Sequence, residues 1–375
     1  DYCLHEQELT SPGSSGKTLL GEDIASAETS FGFKLPGLVS GTPVLAYTSV
    51  GAKVSALANI YTYIDMGGYT DTVAYSSSTN KIYASTSTTV YYNSATTLGQ
   101  VTPRGHSETG KVRLGISTTG QVTNANLDYV MLTYYHSNAI PRGQSQVRMG
   151  FANLTDTDRI ELQDVAGGNL VVWNIDDPAA PKRCDYTTYV IADSTAAAGT
   201  TIVHGFTPGQ DLRSSQYIAF NPQDTLMCIS GWEAVDNQNI HGEATPHMVI
   251  VTCKPFMQQA QRIANMHAKV DDWRVLVVDQ EKVFNEFSSG TPDAMAIRLM
   301  NKMFYDRDKS TFRYLLLLGC GTYDNRSLVS KKANTVLTYE SDNSSDESYS
   351  YVCDDFYGML DDNSGSNMTT SALRL

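Results

Sequence analysis

The run Phe312-Arg-Tyr-Leu-Leu-Leu-Leu-Gly-Cys-Gly-Thr-Tyr-Asp-Asn-Arg326 decides how the rest of the chain is read. From Tyr314 to Leu318 it is apolar without alternation, and Gly319 closes it at once. A continuous apolar run ended by glycine reads as a strand buried on both faces, here the middle of a parallel sheet. Ligands and catalytic groups gather at the carboxyl ends of such strands. Gly319 and Gly321 are expected to let the backbone turn sharply. That turn would set Cys320, Thr322, Tyr323 and Asp324 on the rim of the sheet.

Working outward, Met248 to Thr252 is a second apolar run and Trp273 to Val278 a third. Between them, Pro255 opens a helical pattern with Phe256, Ala260, Ile263, Ala264 and His267 on one face. Thr291-Pro-Asp293 reads as a helix start, with Thr capping and Pro in the first turn. Ala296, Leu299, Met300 and Met303 supply the apolar stripe that follows. The order β-α-β-α-β implies right-handed crossovers and a parallel sheet over residues 246–375. After Arg326 the chain is irregular and acidic. In Tyr351-Val-Cys-Asp-Asp-Phe-Tyr-Gly-Met-Leu-Asp-Asp362, Asp354, Asp355, Asp361 and Asp362 flank an aromatic core. The chain ends within an apolar stretch, so this is expected to be only the first part of an α/β domain.

Residues 1–240 have a different grammar, rich in Ser, Thr, Tyr, Gly and Val. Val112, Leu114 and Ile116 alternate with Arg113 and Gly115, and Val147, Met149 and Phe151 repeat the pattern. Further strands are expected at 45–50, 58–64, 81–92, 127–136, 159–165, 169–175, 186–192, 200–206, 216–220 and 226–233. Many short alternating strands imply a β-sandwich or jelly-roll-like region, with room for two subdomains. Trp173 and Trp232 read as core anchors. Trp273 is expected to pack against a helix.

The formal net charge of -13 makes nucleic acid an unsuitable partner. No stretch approaches the roughly 18–20 apolar residues that span a bilayer. The six cysteines show no C-x-x-C spacing, which excludes a zinc ribbon.

Three segments resemble the gingipain-type cysteine peptidase family, and within it the sortases of the type IX secretion system of Bacteroidota. They are Val283-Phe-Asn-Glu-Phe-Ser-Ser-Gly-Thr-Pro-Asp-Ala294, Tyr314 to Arg326, and Cys353-Asp-Asp-Phe-Tyr-Gly-Met-Leu-Asp-Asp362. Pro12-Gly-Ser-Ser-Gly16, Gly21-Glu-Asp23 and Val172-Trp-Asn-Ile-Asp-Asp-Pro178 resemble its N-terminal β region. The resemblance implies a caspase-related α/β domain with a Cys-His dyad. The family's catalytic His and Cys lie beyond the matching segment, and no histidine follows His267. No catalytic residue is therefore carried onto this chain, which is expected not to cleave peptides by itself. The implied partners are exported proteins with C-terminal signal domains, outer-membrane components of the type IX system and a surface glycolipid. The implied place is the secreted or outer-membrane surface of a Gram-negative bacterium. No cofactor is required. Relatives hold calcium with an Asp at position 320 and the loop matching Asp361, Asp362 and Asn363. Calcium prefers hard oxygen ligands, so Cys320 weakens or removes that site.

Other readings of the same residues stand beside these. Cys320 as a nucleophile would need a base, and His241, His247 and His267 are the candidates in this half. The plainer reading is a small buried thiol under a loop. Asp354, Asp355, Asp361 and Asp362 either bind a cation or line a specificity pocket, or are simply solvated. Asp324-Asn-Arg326 reads as an Asx-type loop organiser. Gly319-Cys-Gly321 lacks the third glycine of a dinucleotide turn. The non-enzymatic alternative is a glycan-binding or adhesion β module joined to an α/β docking domain.

Overall fold

The computed structural model describes residues 1–25, 28–75, 80–104, 107–140, 144–152, 154, 158–164, 169–192, 200–206, 214–223, 230–329 and 334–360. Its first 134 residues form an antiparallel sandwich. In one five-stranded sheet Val44–Val54 lies between Val122–Thr133 and Asn93–Val101. In the other, Thr109–Thr118 lies between Thr29–Lys34 and Ala58–Met66. The alternation read at Val112 and Leu114 is what buries both residues completely against Ile60 and Ile64. A second sandwich follows, with a four-stranded sheet around Ser214–Phe220 and Val171–Asn174 and a three-stranded sheet around Thr200–Phe206. Val147, Met149, Leu162, Val172 and Tyr217 share its core.

Several local expectations fail in this half. Only Lys81–Ile82 of the 81–92 segment is strand, and the longer strand is Asn93–Val101. Side chains divert the backbone there. Ser87 and Thr89 bond each other at 2.9 Å, and the Lys53 ammonium donates to the carbonyls of Ser87 and Val90. Positions 226–229 lie outside the described residues, and 230–233 carry no strand. The tryptophans are not core anchors. Trp232 is 89% exposed, and Trp173 points outward from a strand whose Val172 takes the core face.

The α/β unit follows. Its three parallel strands are Met248–Thr252, Val275–Asp279 and Tyr314–Leu317. The order places Met248–Thr252 at the centre, paired with both others. All five of its residues are buried, whereas Tyr314 is 40% exposed and Leu315 to Leu317 are half-buried. Among the described residues the Tyr314–Leu317 run pairs on one side only, with Met248–Thr252, so it is an outer strand of these three and not their middle. An apolar run reports how a strand is covered but not its place in the order. Helix α1 (Met257–Val270), entered through a single 3-10 turn at Lys254–Phe256, covers one face with Ala260 and Ala264. Helices α2 (Gln280–Phe287) and α3 (Ala294–Arg307) cover the other. Trp273 stacks on His267 of α1, as expected.

Helix α2 was not legible because its eight residues directly abut a strand. Its cap is Asp279, whose carboxylate accepts the Glu281 amide. In α3 the cap is Asp293, not Thr291, and it accepts the Met295 amide at 2.8 Å. The buried stripe is Ala296, Ile297, Met300, Asn301 and Phe304, while Leu299 is 43% exposed. Asp293→Ala is expected to cost about 1 kcal/mol of stability, as loss of a helix cap does. Denaturant unfolding checks it, and an unchanged midpoint would refute the assignment.

Candidate functional site

The carboxyl ends of the three strands carry the site. Thr252, fully buried, donates from its hydroxyl to the Leu318 carbonyl at 2.7 Å and ties the central strand to the loop that follows Tyr314–Leu317. The turn glycines are needed there, but not for positive φ, which neither shows. A Cβ on Gly319 would lie 2.7 Å from Val336 Cγ2, and one on Gly321 would lie 2.9 Å from the Thr338 nitrogen. They are glycines because the 334–340 segment lies against them.

That segment organises most of the residues singled out by sequence. Cys320 is exposed, not buried beneath a loop. Its amide donates to Thr335 Oγ1 at 2.8 Å, and Thr335 Oγ1 lies 3.9 Å from its sulfur. The Thr322 amide donates to Asn334 Oδ1 at 2.6 Å. Asp324, 2% exposed, accepts the Val329 amide with Oδ2 and holds the turn. Asn325 donates through Nδ2 to the Thr338 carbonyl, and Thr338 Oγ1 donates to Asp354 at 2.8 Å. Asp354 and Asp355 are exposed at the start of the 3-10 turn Asp355–Gly358. Below them Phe356 and Tyr357 are buried, with the Tyr357 hydroxyl on the Leu337 carbonyl. Asp361, Asp362 and Asn363 lie outside the described residues.

Sequence reading passed over Asn334, Thr335, Thr338 and Glu340. The β-favouring string Thr335-Val-Leu-Thr-Tyr339 was the available signal, hidden in a region read as irregular. It also passed over Glu286. This carboxylate accepts from the amides of Ile240 and His241 and from Gln238 Nε2, and it bonds His241 Nδ1 at 2.7 Å. Burial alone would raise its pKa, but these hydrogen bonds outweigh burial and hold it down at about 2. Glu340 goes the other way. Burial first, with Asp324 beside it, pushes its pKa up to about 7 against the opposing hydrogen bond from the Asn325 amide. Burial likewise raises Asp279, which lines a cavity of about 600 Å³ on the rim.

The three histidines weighed as bases for Cys320 are all engaged elsewhere. His241 bonds Glu286, His247 Nδ1 accepts the Arg274 amide, and His267 bonds Asp271. None of the three is bonded to Cys320, and the loops on this rim are acidic. Nor does the thiol at 320 suit calcium, which takes oxygen ligands. Both backbone polar groups of Cys320 are bonded to the Thr335 residue.

Residues 241–373 match Peptidase family C25. The C25 region takes in the whole parallel sheet, the Cys320 loop and the Asp354 turn. Among solved structures the chain is similar to dimeric latent PorU from Porphyromonas gingivalis, at 27% sequence identity and a TM-score of 0.70. That likeness covers 96% of this chain and 34% of PorU, so the chain spans about a third of that protein's length. It therefore runs through the two sandwiches as well as the C25 region. The resemblance to gingipain-type peptidases, and to the type IX sortase among them, is borne out. So is the fold: β-sandwiches followed by part of a gingipain-like α/β domain. A mavirus major capsid protein, at 9% identity and a TM-score of 0.15, is too dissimilar to carry an argument. No curated protein matches the chain. No helix among the described residues is long and apolar enough to cross a membrane.

Proposed function

We propose that the intact protein is a cysteine endopeptidase of the type IX secretion system, removing C-terminal signal domains from exported proteins at the surface of a Gram-negative cell. The observation that supports this reading is the PorU likeness, which extends through both the β region and the C25 region. In this reading a cysteine thiolate attacks the scissile carbonyl, the amide bond breaks, and a histidine returns the proton to the leaving amine. The resulting thioester passes to water or to an amine on a surface glycolipid. The dyad comes from outside residues 1–375, which contribute the β region and the acidic rim. Tyr323, Asp354 and Asp355 are the candidate substrate contacts. Calcium at Asp361, Asp362 and Asn363 would have to do without position 320.

The test is cleavage of an exported protein carrying its C-terminal signal, with the new terminus read by mass spectrometry. The intact protein is expected to cleave it, and Cys320→Ser in that protein to cleave it equally. Residues 1–375 alone are expected to leave it whole. Cleavage by residues 1–375 would place the dyad within them and overturn this reading. Failure of the intact protein, together with glycan binding by residues 1–240, would favour the adhesion module instead.

A further inference from the structure

Between the first sandwich and the C25 region lies a cavity of about 330 Å³. Its lining includes no residue of the three parallel strands or of the 319–340 segment, so it is separate from the rim. Its floor is the outer face of a five-stranded sheet. There Ser49 on Val44–Val54 pairs in register with Thr96 on Asn93–Val101, and Gly51 pairs with Ser94. Glycine is required at position 51, because a Cβ would lie 2.7 Å from the Tyr92 ring and 2.8 Å from Leu20. The roof is the C25 loop at 342–345. Backbone bonds fix that loop in place, from the Tyr91 amide to the Ser345 carbonyl at 2.7 Å and from the Glu347 amide to the Thr89 carbonyl at 2.8 Å. The Tyr92 hydroxyl closes one side by bonding Thr18 and Ser344.

The observation that points to a ligand is Asp128. On Val122–Thr133 the pairing with the central strand skips this residue: Leu127 faces Val50 and Tyr129 faces Ser49, so Asp128 bulges from the ladder. Bulges re-aim side chains and are over-represented beside functional sites. This one places a half-buried carboxylate in the lining of the cavity, where it takes no hydrogen bond or ion pair from any described residue. Groups with bonding capacity to spare stand around it. Ser49 and Thr96 share one bond at 3.2 Å, and each hydroxyl can make more. Asn343 commits its Oδ1 to the Ser345 and Asp346 amides and keeps its Nδ2 protons for another acceptor.

A carboxylate that accepts, an amide that donates and hydroxyls that do both match a ring bearing several hydroxyls. Other occupants fit less well. A phosphate would meet two carboxylates, Asp128 and Asp342. A bare cation would find Asp128 alone, since Asp342 is paired with Lys17 at 2.6 Å and no group of three His, Cys, Asp or Glu suited to a metal occurs among the described residues. An apolar molecule would strip water from the hydroxyls without replacing its bonds. The volume falls at the small end of the roughly 300–1,000 Å³ typical of small-molecule sites.

We propose that this cavity binds one neutral pyranose ring, held by Asp128 of the sandwich and Asn343 of the C25 loop. The sugar bridges the two regions. Because the roof belongs to the C25 loop, the site is distinct from an adhesion module confined to residues 1–240. It is also independent of the peptidase reading, since its readout is binding and involves no cleavage.

Ligand-observed NMR titration of the 375-residue chain at pH 7, in a buffer free of polyols, tests it. The probes are glucose, galactose, mannose and N-acetylglucosamine, each as the free sugar and as its methyl glycoside. At least one is expected to bind with a dissociation constant on the order of 1 mM, the range for ligands of this size. A methyl glycoside that binds as well as its free sugar assigns the ring to a glycan chain, and binding of the free sugar alone assigns a monosaccharide. Tetrahydropyran, the ring without its hydroxyls, is expected to show no saturable binding. Asp128→Asn is expected to weaken the best sugar about tenfold, as loss of a charge-assisted bond does. Ser94→Leu, which fills the floor beside Gly51 without touching the acid, should block binding, and it decides the matter if Asp128→Asn does not fold. Failure of every sugar to bind, equal binding of tetrahydropyran, or undiminished affinity in both variants would overturn the site.

Discussion

Glu286→Gln is expected to lower the unfolding free energy by about 2 kcal/mol at pH 7. The carboxylate gathers Gln238, Ile240 and His241 onto α2, at the entrance to the C25 region. Its side chain is half-buried at the surface, so solvent screens part of these bonds. The pKa near 2 lies below its ordinary value of 4.5. At about 1.4 kcal/mol per unit, that shift sets an upper bound of roughly 3 kcal/mol, reduced by solvent screening and by the acceptor oxygen that glutamine keeps. A depressed folded-state pKa gives stability that is present above the unfolded value and disappears as the pH falls toward 2. The gap between parent and variant should therefore be constant from pH 6 to 8 and close in acid. Denaturant unfolding across that range checks it. A gap that persists unchanged at pH 3, or one absent at pH 7, would refute the role of the carboxylate.

Glu340→Gln is expected to do the opposite and stabilise the chain at pH 8 by about 2 kcal/mol. Here the folded-state value of about 7 lies above the ordinary 4.5. The parent is at full strength below pH 4.5 and loses stability as the pH rises through 7, because ionising a buried acid beside Asp324 is unfavourable. The shift sets an upper bound of roughly 3 kcal/mol, reduced because glutamine also leaves buried polar atoms to satisfy. The two proteins should unfold alike at pH 4.5 and diverge toward pH 8. A variant less stable than its parent at pH 8 would show that the ionised carboxylate is needed by the fold itself.

The sequence was readable wherever burial imposes a simple rhythm. The runs Met248–Thr252 and Trp273–Val278 had to hold strands, because a helix would not leave so short an apolar run unbroken between turn signals. Val112 and Leu114 had to face one core. What escaped was decided by contacts distant in the chain. Nothing in Tyr314–Leu318 says which strand lies beside it. Gly321 and Thr338 are separated by seventeen positions, and only the fold shows that one is small because the other is near. Glu286 looks like any helical glutamate until the amides of Ile240 and His241 arrive. The tryptophans misled for a related reason: size favours burial on average, but Trp173 sits on the outward phase of a strand whose inward phase belongs to Val172.

Hydrogen bonds and ion pairs join the first sandwich to the C25 region. The Lys17 ammonium meets Asp342, and the Thr18 amide meets the Ser344 hydroxyl, across 325 and 326 positions of chain. Gly16, at φ +74°, permits the approach, since a Cβ there would lie 2.6 Å from the Asn343 carbonyl. Residues so far apart cannot meet until all of the chain between them has left the ribosome, and closing so long a loop is entropically slow. The Glu340 rim is therefore completed only after either sandwich has been able to settle on its own.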